Sequence, residues 1–196
     1  MPVDAGSVKT LRERTGAGIL DCKNALKETG GDFDRAAEIL RKKGYRVAEK
    51  KGVRVTNEGR VGSYIHFNGK IGVLVEANCE TDFVARNELV DQLLKDLCMQ
   101  IAATNPLAVS REEVPAEVLE AKKEEFKRAA SGKPAQIVEK IVQGKFEAFY
   151  KEKCLLEQPF IKDDSQTVKD VVTACIAKVG ENIRINRFAR FEVGQQ

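Results

Sequence analysis

Apolar and polar positions follow two different periods along this chain, and the period changes near residue 60. Before it, apolar residues recur at helical spacing. Val8 and Leu11 open a first helix, with Ser7 placed to cap it; Ile19, Cys22, Ala25 and Leu26 share one face of a second, about 19–29. Phe33, Ala36, Ala37, Ile39 and Leu40 form the stripe of a third, capped by Asp32 and ended at Gly44. Gly16 and Gly18 break the first helix from the second, and Gly30-Gly31 stops the second. A unit of roughly 40 residues buries only a thin core and is marginal alone. Leu20 points away from the Ile19/Cys22/Leu26 face, as an exposed leucine beside a glycine turn that could anchor a partner.

After residue 60 the alternation becomes twofold. Val61, Ser63, Ile65 and Phe67 alternate with Gly62, Tyr64 and His66, and Ile71, Val73, Val75 and Ala77 alternate on a return strand. Asn68-Gly69 between them predicts a two-residue hairpin loop with positive φ at both positions. A long helix is expected to start near Asp82, with Phe83, Val90, Leu94, Leu97 and Ile101 as its stripe and Asn105-Pro106 as its end. Ser110-Arg111-Glu112-Glu113 has the pattern of a capping box. Two charged helices, about 115–130 and 134–152, predict an antiparallel helical hairpin split at Ser131-Gly132-Lys133-Pro134. Cys154–Phe160 reads as a short strand or extended piece, confined by Pro159 to an edge or an end. Asp163, Asp164 or Ser165 is expected to cap a last helix carrying Val168, Val171, Val172, Cys175, Ile176 and Val179, which Gly180 stops. Ile183, Ile185, Ala189, Phe191 and Val193 then alternate as a closing strand.

The fold class expected is α+β: a three-helix unit over residues 1–45, a basic linker over 46–59, and a core domain over 60–196. In that core an antiparallel sheet, the hairpin plus the last strand, carries helices on one face, with the helical hairpin at about 115–152.

Charge sharpens the boundary. Residues 1–59 hold 13 Lys/Arg against 9 Asp/Glu, whereas the remaining 137 hold 20 against 21. Much of the excess lies in Arg41-Lys42-Lys43, Arg46, Lys50, Lys51 and Arg54. That stretch has two readings, a solvated connector or an RNA-binding segment over 41–54, the second weakened because only Tyr45 could stack on a base. No run of about 18 apolar residues exists, so no membrane span is expected. The opening Met1–Gly6 is too short and polar for a signal peptide, so a cytoplasmic location is expected. Five widely spaced cysteines without a C-x-x-C predict reduced, mostly buried thiols.

Candidate chemistry is sparse. His66 is the only histidine, which removes most histidine-based catalytic sites and histidine-containing metal clusters. No G-x-x-x-x-G-K-[ST] is present, and Thr15-Gly16-Ala17-Gly18 lacks the third glycine of a dinucleotide loop and follows a helix. No catalytic residue, bound cofactor, metal or direct nucleotide binding is expected, and the chain reads as a non-enzyme. Glu80 and Asp82 are two neighbouring acids, read as cap and dipole partners rather than a hydrolytic pair. Phe83 has two readings on residue physics: the first apolar residue of a helix stripe, packed inward, or a ring thrust outward on a rigid turn, where aromatics become binding hot spots.

Three segments carry a resemblance. Leu11-Arg12-Glu13-Arg14-Thr15-Gly16-Ala17-Gly18, Thr81-Asp82-Phe83-Val84 and Lys178-Val179-Gly180-Glu181-Asn182-Ile183 resemble, in order, motifs of the elongation factor Ts family. The resemblance implies a ubiquitin-associated-like (UBA-like) N-terminal domain that docks through Arg12, Ile19 and Leu20 on the G domain of elongation factor Tu. It implies that the tip Thr81, Asp82, Phe83 and Val84 enters that domain near its magnesium site, so that GDP leaves and GTP reloads. It also implies a core that serves as a dimerisation domain: longer members carry a second half of the core, and a second copy of this chain could supply it.

Overall fold

The computed structural model describes residues 3–195; Met1, Pro2 and Gln196, which fall within the expected domain ends and opening stretch, lie outside the described residues. The chain is a mixed α+β protein whose elements divide between two compact units. The first unit gathers residues up to Gly62 with Glu76–Asp96 and Lys169–Asn186; the second gathers Ser63–Val75, Leu97–Val168 and the chain from Arg187.

The first unit opens with α1 (Ala5–Thr15), α2 (Ile19–Glu28) and α3 (Phe33–Gly52). The cap of α1 is Asp4, not Ser7 as expected: the Asp4 carboxylate accepts from the Ser7 N–H at 2.7 Å and from its hydroxyl at 2.8 Å. These bonds hold the Asp4 carboxyl below its ordinary range. Asp32 caps α3 as expected, accepting from the N–H groups of Asp34 and Arg35. Val8, Leu11, Cys22, Ala25, Leu26, Ala36 and Leu40 form one core cluster. Ile19 is not in it. It sits in the first turn of α2, off the end of the Cys22/Ala25/Leu26 stripe, and is 60% exposed.

Helix α3 also runs past Gly44, to Gly52, so the expected stop fails and residues 46–52 are helical. A mid-helix glycine costs about 1 kcal/mol. Tertiary anchors on both sides of it outweigh that cost. Arg41 and the Tyr45 hydroxyl both reach the buried Asp170 carboxylate, at 3.4 and 3.0 Å, on α8 (Val168–Val179). Gly44 itself faces the Thr173 methyl group.

One sheet has the strand order β1 (Glu58–Ile65), β2 (Ile71–Cys79) and β5 (Ile183–Glu192). Val73, Val75, Ala77 and Cys79 are buried on β2. The hairpin loop holds four residues, Phe67–Lys70, closed by the His66 N–H donating to the Ile71 carbonyl at 2.8 Å. Only Gly69 has positive φ (+68°), not Asn68; the Gly69 N–H closes a turn on the His66 carbonyl, and the Asn68 side chain accepts from Lys70. On β5, Ile183 and Ile185 are buried but Phe191 is 69% exposed, and Val193, just past the strand's end, is 73% exposed. The alternation therefore slips a phase, where Asn186 and Arg187 are exposed in succession.

In the second unit, α6 (Ala116–Ala129) and α7 (Ala135–Lys153) form the expected helical hairpin. Phe126 meets Phe146 edge-on at 5.1 Å, within a cluster of Ala108, Val114, Phe126, Phe149 and Cys154. Ser110 does not cap. The residues after it make only a short 3-10 turn, and Arg111 instead grips Glu157 through two bonds of 2.7 Å while lying over the Tyr150 ring. Asp163 does not cap a helix either. Its carboxylate accepts from Ser165 and Gln166, and residues Asp163–Thr167 form β4, paired antiparallel with β3 (Pro159–Phe160).

A buried amide organises this unit. Gln100, fully buried, donates to the Gln158 side chain at 3.0 Å and the Pro159 carbonyl at 3.1 Å, and accepts from the Ile161 N–H at 2.8 Å. Gln100→Leu orphans those backbone groups, and the expected loss is about 1–3 kcal/mol. Urea unfolding with an unchanged slope and a lower midpoint checks this; an unchanged midpoint contradicts it.

Candidate functional site

Strand β2 ends at Cys79 and the chain turns through Glu80 and Thr81 into α4 (Asp82–Ala85), a helix of one turn. Thr81 has extended backbone (φ −132°, ψ 155°), and its hydroxyl accepts from the Val84 N–H at 3.3 Å. The expected single helix from Asp82 is broken. Asn87 starts a new one, α5 (Glu88–Thr104), by accepting from the Leu89 N–H through its side chain and from Val90 and Asp91 through its carbonyl. The break changes which residues face inward. Val84 and Ala85 are buried at 4% and 5%, and Phe83 is 78% exposed. Phe83 thus leaves the stripe, while Val90, Leu94, Leu97 and Ile101 stay in it as expected.

Helix α5 is seated close to β1 in the first unit. A Cβ at Gly62 would lie 2.7 Å from the Leu94 Cβ, so only glycine permits this approach. Cys175 on α8 lies 3.8 Å from the Leu89 carbonyl.

The turn is braced from a distant segment. The Thr81 N–H and hydroxyl donate to the two oxygens of Glu181, at 3.1 and 2.8 Å. The Glu80 carboxylate accepts from the Asn182 N–H at 2.7 Å and from Arg54 at 3.3 Å, and the Asn182 side chain donates to the Arg54 carbonyl at 3.0 Å. The Asn182 N–H, with Arg54, holds the Glu80 carboxyl below its ordinary range. Burial, with Glu181 nearby, pushes the Cys79 thiol up, so it stays protonated and donates to the Thr81 carbonyl at 3.1 Å. Asp82 is exposed and pairs with Arg86 at 3.3 Å along its own helix. The two acids Glu80 and Asp82 therefore serve different partners.

Arg12, Ile19 and Leu20 are exposed on the three-helix segment. Arg12 and Ile19 line an open groove of about 460 Å³, together with Val3, Asp4, Val8 and Lys23. The basic stretch 41–54 is largely engaged. Lys43 pairs with Asp21 at 2.6 Å, Lys42 with Glu38 at 2.7 Å, Arg41 with Asp170 and Arg54 with Glu80, and Lys51 donates to the Gly180 carbonyl. Tyr45, the one stacking candidate, is bonded to Asp170. This leaves little of the patch to follow a nucleic-acid backbone. The five cysteines are free and buried, and burial pushes the Cys98 and Cys175 thiols up to about 11.

The sequence reading missed the bracing set of Arg54, Glu80, Glu181 and Asn182. The available signal was the glycine stop at Gly180 followed at once by two polar residues entering a strand. What the arrangement offers chemically is a surface: an apolar ring and a carboxylate held on a stiff turn.

A turn so built displays an apolar ring and a carboxylate at the surface. Comparison with known proteins gives the class. The family described as Elongation factor TS matches residues 23–195. The chain is similar to elongation factor Ts of Fervidobacterium nodosum, 55% identical with 100% of both chains covered. It is similar to that of Caldanaerobacter subterraneus subsp. tengcongensis, 57% identical over 98% of both, and to that of Thermotoga maritima, 55% identical over 100% of this chain and 98% of the relative. The chain belongs to the elongation factor Ts family, a family of translation elongation factors. No helix among the described residues is long and apolar enough to cross a membrane.

The Glu80 brace makes a pH prediction. A carboxyl whose folded pKa is depressed adds stability above its unfolded value, about 4.3, and that stability is lost as pH falls through the folded value. Glu80→Gln removes this contribution. Between neutral pH and about pH 3, the variant's urea midpoint is expected to fall less than that of the wild type; parallel pH profiles contradict this.

Proposed function

We propose that this chain is a guanine nucleotide exchange factor for elongation factor Tu, acting through the braced turn rather than by bond chemistry of its own. Residues 1–45 act as a UBA-like docking module, through Arg12, Ile19 and Leu20, on the G domain of elongation factor Tu. Residues 46–59 join it to the core domain, 60–196. The tip formed by Thr81, Asp82, Phe83 and Val84 enters the G domain near its magnesium site, disturbs magnesium and phosphate coordination, and GDP leaves so that GTP reloads. The chain itself holds neither nucleotide nor metal in this scheme, and it works in the cytoplasm.

The observation that carries the reading is the 78% exposure of Phe83 on a turn whose entry is bonded at Glu80 and Thr81 and whose exit residues, Val84 and Ala85, are buried. A phenylalanine kept in water forgoes about 1.5–3 kcal/mol of burial, and a partner's pocket can recover it. Because the turn is preformed, little ordering entropy opposes that recovery. Linkage also applies: if the factor weakens GDP binding to its partner, GDP weakens the factor's binding by the same ratio.

Stopped-flow release of fluorescent GDP from elongation factor Tu tests this. The full chain is expected to accelerate release by orders of magnitude. Phe83→Ala is expected to remove most of the acceleration, about 2–4 kcal/mol by hot-spot magnitudes, without lowering the unfolding midpoint. Asp82→Ala is expected to cost less, because a carboxylate at the rim of an interface stays better solvated than a ring buried in a pocket. A Phe83→Ala factor of full activity contradicts the proposal.

The core is proposed to form a homodimer through its closing strand, with the exposed apolar residues of the neighbouring strands beside it. Ile65, Phe67, Leu74, Phe191 and Val193, all in the second unit, are exposed apolar residues. A second copy of this chain would cover them and stand in for the second core half of longer relatives. Light scattering at micromolar concentration is expected to give twice the 21.7 kDa chain mass, reduced to one by a Phe67→Ser/Phe191→Ser double variant. A monomer mass throughout contradicts it.

A further inference from the structure

The pose of Phe83 is not a local property of its helix. Helix α4 has four residues, and a single turn cannot offset its own nucleation cost. Its one side-chain cap, Thr81, is itself held by Glu181, which lies 100 residues away. Both oxygens of that carboxylate are used by one residue, on its N–H and on its hydroxyl. The Glu80 carboxylate crosses the other way, to the N–H of Asn182. Two consecutive residues of each segment are thus tied by two glutamates reaching past each other.

This reciprocal tie fixes the rotation of the turn. Glu181 accepts the hydrogen bond of the Thr81 hydroxyl, which leaves the hydroxyl oxygen's lone pairs free to accept from the Val84 N–H. With Thr81 extended and Val84 capped, Val84 and Ala85 turn inward, and Phe83, one position earlier, turns out. Gly180 ends α8 with φ +80°, aiming the Glu181-Asn182 pair at the turn.

We infer that Glu181 is a positioning residue for nucleotide release: it touches neither the partner nor the nucleotide, and acts by holding the Thr81–Phe83 tip in its displayed pose. The inference rests on the reading that Phe83 is the working residue. Loss of the carboxylate charge leaves the docking residues Arg12, Ile19 and Leu20 untouched and lets the tip sample other poses. The maximal release rate therefore falls while docking does not.

Two measurements test this. In the first, GDP release from elongation factor Tu is followed against factor concentration for wild type, Phe83→Ala and Glu181→Gln. Glu181→Gln is expected to lower the maximal rate about tenfold, the order of one charge-assisted hydrogen bond, and to change the half-saturating concentration less than about twofold. In the second, 4-fluorophenylalanine is placed at position 83 and its fluorine resonance recorded without any partner. A single narrow line is expected in the wild type, broadened or split by Glu181→Gln. Should Glu181→Gln lower the unfolding midpoint, Thr81→Val, which removes the hydroxyl's bond to Glu181 together with the cap on Val84 and keeps the carboxylate, is expected to give the same rate loss and line broadening. A Glu181→Gln factor with wild-type maximal rate beside an inactive Phe83→Ala overturns the inference and leaves the Phe83 reading standing. A fully active Phe83→Ala overturns that reading, and an unchanged fluorine line in both variants overturns the positioning role regardless of activity.

Discussion

A helix of one turn has no stability of its own, and the arrangement of this protein's displayed residues depends on how that turn is held. Glu80 and Glu181 reach past each other, each carboxylate accepting from the backbone of the other's segment. Charge-assisted bonds of this kind are roughly twice as strong as neutral ones. From them follow the cap at Thr81, the burial of Val84 and Ala85 and the outward turn of Phe83. The protein places an apolar ring in water by fixing the backbone on either side of it.

The three-helix segment shows the same economy with charge. Its core is a small cluster from Val8 to Leu40, thin for the number of residues it must order. The basic residues that follow are spent on local carboxylates and carbonyls: Lys43 on Asp21, Arg41 and Tyr45 on the buried Asp170, Arg54 on Glu80, and Lys51 on Gly180. Exposed pairs of this sort contribute little each, about 0–1 kcal/mol. The exception is the Asp170 site, where a buried carboxylate would be costly without its partners. The positive excess of the first 59 residues therefore has a structural use within the first unit.

Much of this was legible in the sequence, and the failures share a cause. Stripes with many apolar members, such as Val168 to Ile176 and Val90 to Ile101, fixed their helices because period alone decides burial there. The hairpin was legible from Asn68-Gly69, but its loop length was not, since the Asn68 side chain closes a turn inside a four-residue loop. Gly44 looked like a helix end because propensity is local, whereas Tyr45 and Arg41 find Asp170 more than a hundred residues away. Phe83 fell within the expected stripe of a single helix; the second cap at Asn87 breaks that helix, and the brace on Thr81 turns the ring outward. Ser7, Ser110 and Asp163 each had the right type for a cap, yet capping is decided by which acceptor lies within reach of a free N–H. The brace itself, Arg54 with Glu80, Glu181 and Asn182, joins three separated segments and leaves no periodic trace.

The ring of Phe83 is proposed to enter the G domain of elongation factor Tu. Placing the photoreactive residue p-benzoylphenylalanine at position 83 and irradiating the factor with elongation factor Tu tests this contact. The account predicts an adduct on the G domain near the magnesium site, suppressed by excess GDP as linkage requires. A stable complex that yields no G-domain adduct from position 83, or an adduct indifferent to GDP, would contradict it.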